Sequence, residues 1–179
     1  MPSENMREDM KQEGQIMKIY QVVLPAAALS ASILVTPDAH ATQASGFSAV
    51  QQWKGLYEPL DVKGEKTGKW DLKLSTKGDS DVHVVRNAIA VGGQSGWHTH
   101  PGPSLITVTV GEVTVYDGDN PLCTSKVIRA GEGSIDMGGG HTHLLRNESG
   151  AAAETVAVQF LPQGAERRID LPKPTNCPF

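Results

Sequence analysis

His98-Thr99-His100 and His141-Thr142-His143 gather four of the six histidines of this 179-residue chain into two matching triplets. Imidazole is the commonest protein ligand for transition metals. On an extended strand side chains at i and i+2 share a face, so His98 and His100 can point into one cavity. Neutral nitrogen donors suit Fe, Mn, Cu, Zn or Ni, whereas Ca and Mg take oxygen ligands. Protons compete for the same lone pairs, so affinity is expected to fall as the pH drops through about 6.5. Serine chemistry finds less support. Ser95 does not sit in a Gly-x-Ser-x-Gly elbow, and Gly78-Asp79-Ser80 reads as a turn.

The segments around these histidines are short and strand-like. Leu105–Val110 alternates apolar and hydroxyl side chains, which predicts Ile106, Val108 and Val110 inward and the threonines outward. Gly111-Glu112 reads as the turn of a hairpin into Val113–Tyr116, and Asp117 to Pro121 as a second strong turn. Further strands are expected at Val82–Val91, Lys126–Arg129, Ser134–Met137, His141–Asn147 and Glu154–Leu161. Such spacing, with 19 glycines and 11 prolines between the runs, points to an antiparallel sandwich or barrel. One helix is expected from Gly46 to Tyr57, capped by Ser48, with Val50, Trp53, Leu56 and Tyr57 as its apolar stripe. Residues 61–81 read as loop with an edge strand near Trp70, Leu72 and Leu74.

Ahead of these lies a leader. Met17-Lys18 opens an uncharged, apolar stretch from Ile19 to Val35 that ends at Ala39-His40-Ala41, the pattern of a secretory signal cleaved after Ala41. Pro25 and Ser30-Ala31-Ser32 interrupt the run, so a retained membrane span is disfavoured. The start is left open between Met1 and Met17, and the polar, charged character of residues 1–16 favours Met17. The expected destination is periplasmic or secreted, with no stable membrane association after cleavage. Residues 42–179 carry 13 basic and 15 acidic side chains, dispersed, which gives no support for a nucleic-acid partner. Export also favours pairing the two cysteines, Cys123 and Cys177, as a disulfide.

The two histidine blocks resemble the paired motifs of the cupin superfamily. His98, His100 and Gly111 match the first motif, and Gly131, Gly140, His143 and Asn147 the second, with Gly138 where the family carries Pro. The resemblance spans about Val82 to Leu161. It implies an all-β, mostly antiparallel double-stranded β-helix of jelly-roll type. The implied divisions are an extension and signal at 1–41, an arm at 42–81, the barrel at 82–161 and a tail at 162–179. It further implies one divalent metal on His98, His100 and His143. The family's Glu position is Ser104, a pocket residue too poor a ligand to replace a carboxylate. Three-histidine cupins include dioxygenases, so the implied function is an exported, metal-dependent, dioxygenase-like enzyme acting on a small organic substrate. The alternative is a non-catalytic cupin that binds a metal or small ligand. His141 stands open between a fourth ligand, a proton-handling group behind His143 and a rim residue. His141 and Tyr116 are the candidate catalytic groups, and a homodimer is left open.

Overall fold

The computed structural model describes residues 40–179; nearly all of the expected leader, and Met17, lie outside them. Twelve strands follow one another: β1 (Ser45–Tyr57), β2 (Asp61–Lys63), β3 (Lys73–Ser75), β4 (Ser80–Gln94), β5 (His98–Thr99), β6 (Ser104–Val110), β7 (Glu112–Asp117), β8 (Ser125–Arg129), β9 (Gly133–Asp136), β10 (His143–Arg146), β11 (Ala153–Pro162) and β12 (Ile169–Asp170). The pair β2-β3 stands apart. The other ten form a nearly closed antiparallel barrel, in which a first sheet β1-β4-β11-β6-β9 meets a second, β12-β5-β10-β7-β8, where Gln94 pairs with Arg146.

Between the sheets lies an apolar interior built on Ile89, Ile106, Val108, Val113, Ile128 and Leu145. A second cluster joins Trp97, Leu144, Cys123 and Cys177 on the outer side of the second sheet, with Leu171, Tyr116 and Phe179 packed against it. The tail is held there by the Cys123–Cys177 disulfide and by a hydrogen bond from Trp97 Nε1 to the Phe179 carbonyl. Closing a loop across 54 positions stabilises the fold by roughly 4 kcal/mol in the chain-entropy treatment.

Three expectations need correction. The segment from Gly46 to Tyr57 is not a helix but most of β1, which pairs with β4 along its whole length. An isolated helix of about 12 residues is marginal in water, whereas the long ladder with β4 satisfies the backbone groups along one side of β1. A bulge between Gln51 and Trp53 shifts the phase of the strand, and this is why its apolar spacing imitated a helical stripe. Secondly, β6 and β7 are not a hairpin. β6 pairs with β11 and β9, and β7 with β10 and β8, so Gly111, at φ 70°, turns the chain from one sheet to the other. Lastly, Ile106 and Val108 are buried as expected, but Val110, next to that corner, is exposed.

The glycine in place of the motif Pro has a steric reason. Gly138 adopts φ 66°, and a Cβ there would collide with the backbone of Gly102. The close approach seats the loop before His143 on the loop after His100. Asn147 closes the other end of β10, donating to the carbonyls of Ile89 and Ala151.

Candidate metal centre

His98 on β5 and His143 on β10 are direct partners in the antiparallel register, and His100 follows two residues after His98. Pairing across adjacent strands thus brings the two sequence blocks together. Ring centroids lie 4.2 Å apart for His98–His143, 5.0 Å for His98–His100 and 5.4 Å for His100–His143. One nitrogen from each of the three falls within 4.8 Å of the others.

The outer nitrogens are already committed. His98 Nδ1 donates to the Gly96 carbonyl at 2.8 Å, and His100 Nδ1 to the Arg167 carbonyl at 2.6 Å. His143 Nδ1 faces the His141 carbonyl at 3.4 Å and Asp136 Oδ1 at 3.5 Å. These contacts fix the tautomer and leave Nε2 as the free lone pair on each ring. Burial, the largest influence, pushes His98 well below its ordinary value, lowers His100, and holds His143 at about 4. All three are therefore neutral at physiological pH, the form that binds metal. His143 Nε2 is buried with no hydrogen-bond partner among the described residues, and a cation would satisfy its lone pair. The donor set fits one divalent transition ion. His100 Nε2 is capped by Gln159 Nε2 at 3.2 Å, a contact that an ion would displace.

The other residues singled out in the sequence fall at different distances from this centre. Ser104 is fully buried, but its hydroxyl accepts from Gln159 Nε2 at 2.9 Å. His141 precedes β10 and lies behind His143. Its Nδ1 meets Asp136 Oδ1 at 3.0 Å and its Nε2 meets Asp117 Oδ1 at 3.3 Å. Burial opposes its charge, but the hydrogen bond to Asp136 and the charge of Asp117 prevail and raise it above the ordinary value. Tyr116 is on the far side of β7, against Phe179, and donates to Glu148. Neither His141 nor Tyr116 lines the cavity in front of the three rings.

That cavity, about 30 Å³, has room for one or two waters. It is walled by Val85, Ile106 and Ala157 on the apolar side and by Gln159, Arg167 and Arg168 on the polar side. Arg168 is paired with Asp170 at 2.6 Å. Arg167 has no acidic partner among the described residues, and its Nη1 donates to Gln159 Oε1 at 3.1 Å. Sequence reasoning passed over Gln159, Asp136 and Arg167. Gln159 carried a signal, an amide on an otherwise apolar strand, whereas Arg167, in a tail beyond the barrel, carried none.

No family model and no curated protein matches the chain. Among solved structures, a recombinant oxalate oxidase in complex with glycolate is similar at 25% identity over 70% of this chain and 55% of its own, with TM-score 0.46. An uncharacterized protein with a double-stranded β-helix domain from Klebsiella pneumoniae is similar at 23% identity over 65% of this chain and 81% of its own, with TM-score 0.42. The Cupin_2 domain of an XRE-family transcriptional regulator from Enterobacter cloacae is similar at 14% identity over 66% of this chain and all of its own, with TM-score 0.43. The chain spans about half the length of the oxalate oxidases it matches. Both histidine blocks thus lie on paired strands of a nearly closed antiparallel barrel, the arrangement that their resemblance to the cupin motifs implies.

Proposed function

We propose that this chain is an exported, metal-dependent cupin that acts on a small anionic organic molecule. The observation that carries the reading is the convergence of three buried, neutral imidazoles whose Nδ1 atoms are all occupied. His98, His100 and His143 would hold the ion, which would supply Lewis acidity and, as iron or copper, one-electron chemistry. Three neutral ligands leave its charge uncompensated. Arg167 adds a second positive charge without an acid beside it, so the cavity favours a carboxylate or similar anion. Its small volume favours a ligand of few heavy atoms. The export leader and the disulfide support a periplasmic or secreted setting.

Elemental analysis of the purified protein tests the ligand set. About one transition ion per chain is expected, lost in the double variant His98→Ala/His100→Ala with the barrel still folded. Retention of the ion in that variant would show that it binds elsewhere. Oxygen uptake during a screen of small carboxylates tests turnover, and Arg167→Gln should weaken anion binding by about 10-fold or more. One observation favours the alternative, a non-catalytic binding cupin: His141 and Tyr116, the candidate acid/base groups, lie outside the cavity. Tight anion binding without turnover would select it.

A further inference from the structure

As an addition to the three-histidine centre, and resting on that reading, we propose that Gln159 supplies a fourth donor through its amide oxygen, and that turning the amide to do so releases Arg167 to the anion. Gln159 stands on β11, outside both histidine motifs, and is 2% exposed. Its inward neighbours along the strand, Ala157 and Leu161, are buried and apolar. The register with β6 sets it directly beside Ser104, the position where the first motif carries its carboxylate. A donor from β11 thus reaches the centre from the side on which the motif residue is too poor a ligand.

Distance and donor chemistry identify the role. The amide nitrogen of Gln159 lies 3.2 Å from His100 Nε2. Two donors bound to one ion at about 2.0–2.2 Å stand about 3.0–3.4 Å apart, so the end of this side chain already occupies a ligand's place relative to His100. His100 Nδ1 donates to the Arg167 carbonyl, which makes Nε2 an acceptor, and without an ion the N–H group of Gln159 is the right partner for it. Beside a cation it is the wrong one. The two ends of an amide have nearly the same shape, so a half turn about the last side-chain bond brings Oε1 to that place without repacking. Ser104 serves both settings. Its Oγ accepts from Gln159 Nε2 at 2.9 Å, and after the turn the same hydroxyl donates to Oε1, where an ionised carboxylate would only accept. The turn also takes Oε1 away from Arg167 Nη1, which it holds at 3.1 Å, and sets N–H against N–H. Arg167 and Gln159 Nε2 then both present donors to a carboxylate in the cavity. Metal and anion are therefore taken up cooperatively.

Zinc and cobalt(II) titrations of the chelated protein, in competition with a chromophoric chelator, test the donor. Gln159→Leu should weaken zinc binding about 10-fold or more and shift the visible bands of the cobalt form. Gln159→Glu keeps an oxygen at the same place and should bind zinc at least as tightly as the wild type. It offers no N–H group and holds Arg167 by charge, so its zinc form should bind formate about 10-fold more weakly than the wild-type zinc form. Wild-type zinc affinity and an unshifted cobalt spectrum in Gln159→Leu would overturn the fourth donor alone, while loss of the ion from His98→Ala/His100→Ala keeps the three-histidine site standing. Weaker zinc binding in Gln159→Glu sinks the donor too, and does so even where the Leu variant loses its fold. Undiminished formate binding in the zinc form of Gln159→Glu refutes the release of Arg167. A wild type that takes up no zinc removes the site itself, and the fourth donor with it.

Discussion

One row of the first sheet is inverted relative to the second sheet. In the second sheet Leu145 faces the interior and Leu144 the tail, and both are buried. In the first, the inward row His83, Gln159, Ser104 and Asp136 is polar and buried, while the outward row one residue away is apolar and exposed. Each side runs against stability. A buried polar group left unpaired costs about 1–3 kcal/mol, and His83 Nε2, His143 Nε2 and Asp136 Oδ2 all lack partners. Apolar surface left in water forgoes about 25 cal/mol per Å². A polar inner row of this kind is what the proposed metal and anion site requires. The second sheet is stabilised by its own tail and by the disulfide.

Acid should break the inner side hardest. Burial holds His143 at about 4 and keeps His98 and His100 below their ordinary values. The folded values lie below the unfolded value of about 6.5, so between them the unfolded chain binds more protons than the folded one. Stability of the metal-free protein is therefore full above about pH 6.5 and falls as the pH drops towards 4, with His143 alone accounting for about 3 kcal/mol. Urea midpoints at about pH 7.5 and about pH 4.5, measured after chelation, should differ accordingly. Equal midpoints would mean that the three rings are not buried and neutral together. Next in size is Asp136→Ala, which removes the partner of His141 Nδ1 and the carboxylate facing His143. A loss of about 2–3 kcal/mol is expected, with metal affinity lower by about 10- to 100-fold. Unaltered affinity would show that Asp136 does not orient His143.

The sequence exposes the three candidate metal ligands because their chemistry restricts residue type. Imidazoles at His98, His100 and His143 are legible wherever the strands fall. Strand positions are legible too, since turns such as Asp117 to Pro121 have composition of their own. Strand phase is legible in β6, where Ile106 and Val108 are buried as expected, but not in β11. In Glu154–Leu161 an apolar set, Val156, Val158 and Phe160, alternates with Thr155, Ala157 and Gln159, and the first set reads naturally as core. The fold buries the second. In β1 the bulge after Gln51 changes the phase within one strand, so that its apolar residues take the spacing of a helical stripe. Arg167 was hidden for a different reason: only the return of the tail beside His100 brings it to the cavity.

The smallest expected effects come from a pair of neighbours that differ only in side. Gln159 donates to Ser104 Oγ and accepts from Arg167 Nη1, so Gln159→Leu strips partners from a buried hydroxyl and from the guanidinium. A cost to folding of about 1–2 kcal/mol is expected. Val158→Thr, one residue earlier and outward, changes shape little and lies on the outer face. Its folding stability should stay within about 0.5 kcal/mol of the wild type. Chemical denaturation of the two variants measures both. Equal losses at 158 and 159 would erase the distinction between the two rows, since a phase difference of one residue is all that separates the inside of this sheet from the outside.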